Sequence, residues 1–245
     1  MTALAACIAR VEAGDPDRFA AVMASPAPLR ARLWPLYAAN LEIARAPWAS
    51  NEPLIAEMRL QWWVDAMEAL AARGKTPRHE IGAALEAVRP VARQLAGIAE
   101  ARRRDCWRMD WADTAEFWEY LDQTSGALYE ATGDLLGCPH PALREFGRAA
   151  GLAAWFLAVP ELSRRGLTPL PAGAAPGDLA REGLRALRAA YGKMPRSSRV
   201  AALAGWEAQA ILAAAERAPA LISGEALRGS EFSRRLWLLR RAFGF

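Results

Sequence analysis

The stretch Phe146–Pro171, FGRAAGLAAWFLAVPELSRRGLTPLP, carries more information about the fold than any other part of the chain. Its alanine and leucine residues favour a helix, and β-branched residues are few. The Arg-Arg-Gly sequence at 164–166 is typical of a helix end, and the Leu-Pro pair at 170–171 is typical of a stop. The stretch therefore predicts one long helix that ends in a glycine turn.

The rest of the chain has the same character. Hydrophobic residues make up 53% of the 245 residues, which is enough for a large core, and no shift in composition marks a second domain. Asp113-Thr-Ala-Glu116 is a capping box that opens a helix. We predict an all-α fold in a single domain over residues 1–245. Helices from Asp113 onwards are predicted at about 113–136, 141–165, 178–193, 197–217 and 232–243, and two earlier ones at about 77–88 and 91–107.

The helix that follows Asn51-Glu52-Pro53 has an apolar stripe at helical spacing. Such a stripe predicts the buried face of an amphipathic helix. Trp62 and Trp63 are adjacent, so they cannot point in the same direction. We expect one of them in the core and the other against a neighbouring helix. The stripe consists of Ile55, Met58, Trp62, Ala66 and Leu70.

The segment Phe146–Pro171 resembles, without a gap, the second signature of the squalene/phytoene synthase family, LGxAxQxTNxxRDxxEDxxxGRxYLP. Members that use prenyl diphosphates bind metal through the two aspartates of this pattern. Ala158 and Leu162 stand at those aspartate positions, and only Glu161 remains among the acidic ones. We expect Glu161 to form an ordinary ion pair with Arg164 or Arg165. The Asn, Arg and Tyr positions of the pattern hold Ala154, Leu157 and Pro169.

The segment Leu36–Ala49, LYAANLEIARAPWA, resembles the first signature of the same family, LYAFCRxxDDxxDE. Its three aspartate positions hold Ala44, Arg45 and Trp48. An arginine in place of a ligand carboxylate is a charge reversal that opposes a metal ion. The RLQWW sequence at 59–63, followed by Asp65, is a further match to the family.

The combination of these segments resembles one branch of the family, the non-catalytic homologues associated with assembly of respiratory complex I. The resemblance implies a prenyl-synthase helical bundle around a central apolar cavity, with the two signatures facing each other across it. The residues that it implies as cavity-lining are Tyr37, Asn40, Glu42, Arg59, Trp62, Ala154 and Glu161.

Ionisation of a prenyl diphosphate requires Mg²⁺, which takes hard oxygen ligands. Alanine and leucine supply none, so we expect no cofactor and no catalytic residue. The sequence favours a non-catalytic assembly or scaffold factor with a protein partner. One alternative is an isoprenyl-diphosphate transferase with Mg²⁺ held by ligands that the sequence does not identify. Another is a prenyl-lipid-binding module.

Charge and cysteine usage limit the remaining classes. The net charge of +4 suits an acidic partner or an anionic membrane, but no clustered basic patch with interleaved aromatics indicates nucleic-acid binding. Three dispersed cysteines favour a reduced, cytoplasmic protein. The C-terminal segment SRRLWLLRRAF has a basic face beside a tryptophan, typical of membrane-surface helices. It predicts contact with the inner face of a membrane or with a partner through Arg234, Trp237 and Arg241.

Overall fold

The computed structural model describes residues 2–224 and 227–243, and these contain helices, turns and loops but no strand. The predicted all-α fold is confirmed. The chain forms two compact units. Unit 1 comprises Met1–Trp107 and Ala131–Pro139, and unit 2 comprises Arg108–Glu130 and His140–Phe245. The single domain over residues 1–245 stays a prediction.

Unit 1 begins with helices whose starts are encoded locally. The Thr2 side chain accepts a hydrogen bond from the Ala5 amide at the start of the first helix, and Asp15 accepts one from the Arg18 amide at the start of the second. A 3-10 segment at Gly82–Val91 replaces the α-helix predicted at 77–88. The α-helices of this unit are α1 (Ala3–Gly14), α2 (Pro16–Ala24), α3 (Ala27–Arg45), α4 (Pro53–Arg73), α5 (Ala92–Ala101) and α6 (Arg103–Trp107).

The predicted buried face of α4 is wrong. Met58 is 71% exposed, and Ile55 and Trp62 are each 42% exposed. The buried face is displaced around the helix and consists of Ala56, Leu60, Trp63, Val64, Met67 and Leu70. Because α4 is apolar on opposite faces, hydrophobic spacing alone could not select the one that packs. Trp63 is buried, as expected, whereas Trp62, which was expected to pack against a neighbouring helix, is 42% exposed.

Unit 2 is built around α9, where the long helix was predicted. The capping box is confirmed, since the Asp113 side chain accepts a hydrogen bond from the Glu116 amide. The helix predicted at 113–136 is interrupted by a π-helical turn at Asp122–Gly126, and the one predicted at 197–217 is α-helical only from Ala208. The remaining α-helices are α7 (Thr114–Leu121), α8 (Ala127–Leu136), α9 (Ala142–Arg164), α10 (Pro176–Lys193), α11 (Ala208–Arg217) and α12 (Glu231–Phe243). Residues 127–130 of α8 belong to unit 2 and residues 131–136 to unit 1.

Two glycines of α9 allow close packing inside unit 2. A Cβ on Gly147 would lie 2.7 Å from the Tyr129 Cβ, and one on Gly151 would lie 2.6 Å from the Ser125 Cβ. The two glycines are four residues apart and therefore share one face of the helix. That face packs directly against the π turn and the start of α8, which fixes how α9 sits in its unit.

Candidate functional site

The first signature segment lies on α3 and the following 3-10 turn, in unit 1. Tyr37 and Asn40 are buried on α3. Burial raises the pKa of Tyr37, whose hydroxyl hydrogen-bonds with Thr132. The Arg18 guanidinium lies over the Tyr37 ring, 5.5 Å from its centroid. These contacts make Tyr37 a packed element of unit 1, and its predicted place beside a cavity stays a prediction.

The three positions that hold metal-binding aspartates in the family pattern have different surroundings here. Ala44 and Trp48 are half-buried, and Arg45 is exposed. The Arg45 guanidinium lies against Gly14, because a Cβ added to Gly14 would be 2.5 Å from its Nη2 atom. Gly14 is the last residue of α1, and a cation is favourable at the C-terminal end of a helix dipole. Arg45 therefore has a structural role at the position of a carboxylate.

Glu42 does not pair with Arg45, its neighbour one helical turn along. Its carboxylate accepts a 2.6 Å hydrogen bond from Arg10 on α1 and lies 3.7 Å from the His79 Nε2. Arg10 also donates to Glu80 at 2.5 Å. Glu42 thus joins α3 to α1 and to the segment before the Gly82–Val91 turn, which gives it a structural function in unit 1.

A second polar cluster in unit 1 is centred on Arg103 of α6. This guanidinium donates to Glu57 at 2.9 Å, to Gln61 and to Glu100. The Trp107 indole also donates to Glu57, at 3.2 Å. The cluster joins α4 to α5 and α6. Arg59, also on α4, is exposed.

The second signature segment lies on α9, in unit 2. Ala154 is exposed, Ala158 is half-buried and Leu162 is buried. Glu161 pairs with Arg164 at 2.8 Å and with Arg165 at 2.7 Å, as predicted. The hydrogen bond from Arg165, aided by the charge of Arg164, lowers the pKa of the Glu161 carboxyl. The one acidic group of this signature is therefore an ion-paired group at a helix end.

An aromatic cluster beside the second signature was missed in the sequence. The rings of Trp111 and Trp155 each contact the other and both Phe117 and Tyr120, with ring centroids 4.9 to 5.7 Å apart. The indoles of Trp111 and Trp155 both donate to the Pro169 carbonyl, at 3.1 and 2.7 Å. The cluster therefore fixes the loop after α9 where the family pattern has its tyrosine. Trp155 lies 35 positions after Tyr120, so no local signal shows that it joins the other three rings.

Comparison with known proteins identifies a family that contains both signature segments. The family model described as squalene/phytoene synthase matches residues 11–174, which include both signature segments. The chain belongs to the squalene/phytoene synthase family. The fold is similar to a crystal structure of a dehydrosqualene synthase in complex with a ligand, with a TM-score of 0.74 and 15% identity over 99% of this chain and 96% of that one. The sequence has no significant match among curated proteins.

Membership of the squalene/phytoene synthase family supports the predicted helical architecture, and the family is of prenyltransferase type. The first signature belongs to unit 1 and the second to unit 2, so their facing arrangement around a cavity stays a prediction. Within residues 2–224 and 227–243, no three His, Cys, Asp or Glu side chains are grouped as a metal site would need. In the same part of the chain, no helix has the length and apolar content to cross a membrane.

The C-terminal helix α12 lies beyond the part matched by the squalene/phytoene synthase model. Two of its three predicted contact residues contact its own unit, and contact of all three with a membrane or a partner stays a prediction. Arg234 donates to the buried Glu207 at 2.7 Å, and Arg241 lies over the Tyr191 ring, 4.0 Å from its centroid. Trp237 is half-buried. Arg234 and Arg241, which the sequence predicted as contact residues, therefore hold α12 on unit 2. Other residues of α12 face outward.

Proposed function

We propose that this chain is a non-catalytic member of the squalene/phytoene synthase family that acts as an assembly or scaffold factor, as in the branch associated with respiratory complex I. The observation that carries the proposal is the state of the five positions where the family pattern has aspartates. They hold Ala44, Arg45, Trp48, Ala158 and Leu162. Of these, Arg45 lies against the end of α1 and Leu162 is buried.

The chemistry of these positions does not fit Mg²⁺. This ion requires several oxygen ligands in octahedral geometry, and methyl, isobutyl and indole groups offer no oxygen. A guanidinium repels the ion. Glu161 has a carboxylate, but both of its oxygens are engaged by arginines. The residues at these positions therefore do not fit a Mg²⁺ site.

A protein without catalysis must act through its surface. Leu54 is 66% exposed and Met58 71%, and with Ile55 and Trp62 they form an apolar stripe along the outer face of α4. Exposed apolar stripes on a helix are typical of surfaces that bind other proteins. This face supports a protein partner for unit 1. We propose a cytoplasmic location, peripheral to the inner face of the membrane.

Family membership itself favours a second candidate, an active isoprenyl-diphosphate transferase with Mg²⁺ bound by other groups. A prenyl-lipid-binding module without turnover is intermediate between the two. The three differ in what the purified chain does with a prenyl diphosphate. The transferase converts it, the lipid-binding module only binds it, and the assembly factor does neither.

The test is a turnover assay of the purified chain with farnesyl and geranylgeranyl diphosphate and Mg²⁺, with an active dehydrosqualene synthase as the positive control. We expect no condensed product and no release of diphosphate above the protein-free blank. Product formation that EDTA abolishes would overturn the proposal. If the assay is negative, co-purification of complex I subunits with a tagged chain tests the assembly role, and their absence would contradict it.

A further inference from the structure

The outward face of α12 carries an apolar stripe. Phe232 is 79% exposed, Leu239 52% and Leu236 40%. Their positions at i, i+4 and i+7 place them in one line along the helix. Three large apolar side chains left open in a row on a helix that is otherwise docked indicate an interaction surface.

Two arginines flank this stripe on opposite sides. Arg235 precedes Leu236 by one position and Arg240 follows Leu239 by one, so the helical rotation places one arginine at each edge. The Arg235 side chain is 77% exposed and Arg240 is also exposed. The stripe itself contains no carboxylate, but the Arg235 edge has one, because Glu231 pairs with Arg235 at 3.1 Å. Glu231, the acidic residue of α12, lies to one side and bonds with Arg234 and Arg235.

A second observation adds positive charge next to α12. The guanidiniums of Arg199 and Arg241 both lie over the Tyr191 ring, 4.7 and 4.0 Å from its centroid. Arg241 also donates to Gln209 at 2.7 Å, and the Arg199 Nε is buried without a hydrogen bond. In the described part of the chain, neither guanidinium is paired with a carboxylate. These two charges lie on the docked side of α12 and add to the positive charge of this part of unit 2.

We propose that α12 docks unit 2 on an anionic phospholipid surface. Phe232, Leu236 and Leu239 enter the boundary between headgroups and acyl chains, and Arg235 and Arg240 contact the lipid phosphates. This is the arrangement expected of an interfacial amphipathic helix, with an apolar stripe between cationic edges. The proposal rests on the peripheral membrane location proposed above and names the surface that would contact the membrane, and it does not depend on the assembly function.

Charge complementarity favours a membrane over a second copy of the chain. The exposed charges beside the stripe are Arg235, Arg240 and Glu231, a net positive charge, so two such faces would repel each other across a symmetric interface. Lipid phosphates instead offer anions at every point along the stripe. The chain as a whole also has a net charge of +4, which aids approach to an anionic surface.

The experiment is co-sedimentation of the full chain with vesicles of phosphatidylcholine alone or with about 30% phosphatidylglycerol. We expect binding to the anionic vesicles that weakens with salt. Arg235→Glu/Arg240→Glu should lower the partition coefficient by about 30-fold, as expected when two arginine contacts are lost. Phe232→Ser should lower it without altering the salt dependence. Inorganic phosphate at millimolar concentration should not compete, since the site is a surface and not a pocket.

Arg78→Glu/Arg93→Glu is the matched control, because both residues are exposed in unit 1. Each Arg→Glu change removes two units of charge, so both double variants have a net charge of zero. We expect the control to retain binding within about threefold.

Equal loss in both double variants, or no binding by the wild type, would overturn the proposal. A concentration-dependent dimer that Phe232→Ser abolishes, without vesicle binding, would assign the face to a second copy. Urea midpoints check that each variant is folded.

Discussion

Glu207 is the group that holds α12 in its observed orientation. Its side chain is only 7% exposed, and it accepts a 2.7 Å bond from Arg234, whose side chain is 20% exposed. Arg228 approaches the other carboxylate oxygen at 3.4 Å, and the Arg234 guanidinium lies 5.6 Å from the Trp206 ring centroid. Without the Glu207–Arg234 contact, α12 could rotate on unit 2 and expose a different set of residues.

The free energy of the Glu207–Arg234 contact follows from its burial. A hydrogen bond between charged groups contributes about 1.5–3 kcal/mol, and removal of one partner from a fully buried pair costs about 3–5 kcal/mol. Arg234 keeps part of its hydration, so we expect a cost within the first of these ranges, about 1.5–3 kcal/mol. Glu207→Gln should reduce the free energy of unfolding by about 2 kcal/mol.

A double-mutant cycle of Glu207→Gln and Arg234→Gln, measured by urea unfolding and circular dichroism, isolates the pair. The matched control is Arg181–Glu216, also an interhelical pair, at 3.3 Å with side chains 52% and 31% exposed. Exposed pairs of this kind couple by about 1 kcal/mol or less. A Glu207–Arg234 coupling no larger than that of the control would refute the reasoning.

Two further predictions concern packing and the thiols. Gly147→Ala should cost about 1–3 kcal/mol of unfolding free energy, because its Cβ would overlap Tyr129. Gly97→Ala is the control, since nothing lies within 4 Å of its added Cβ, and it should stabilise by up to about 1 kcal/mol; equal effects of the two substitutions would contradict the packing. Burial raises the pKa of Cys7 and Cys106 to about 11, so at pH 8 both should react with a thiol reagent roughly a hundredfold more slowly than in urea, and faster as the pH rises towards 11. The half-buried Cys138 should react first, and equal native rates for all three would contradict this order.

Local signals were sufficient to predict most helix boundaries. The capping box at Asp113 begins α7, and Gly166, in the glycine turn predicted to end the long helix, has the positive φ of 77° that such an end requires. The long helix predicted at 141–165 is observed at Ala142–Arg164. Each of these features depends on residues within one or two turns of each other, which is why the sequence shows them.

Features that depend on tertiary contacts could not be predicted in this way. Both faces of α4 are apolar, and only packing selects Leu60 over Met58 for the core. The helix predicted at 197–217 breaks where Gly205 closely approaches Phe146, a contact 59 positions away along the chain. The orientation of Arg234 likewise depends on Glu207, which is distant in sequence. The sequence pattern identifies residues that could pack in the core or form an ion pair. Tertiary contacts determine which of these residues do so.

The absence of Mg²⁺-dependent diphosphate chemistry is the central claim, and calorimetry tests it most directly. The purified chain is titrated with a non-hydrolysable farnesyl diphosphate analogue, with and without Mg²⁺, beside an active dehydrosqualene synthase. We predict that Mg²⁺ leaves the heat and the affinity of analogue binding unchanged, because positions 44, 45, 48, 158 and 162 hold no carboxylate. Tight binding that appears only with Mg²⁺ would contradict it.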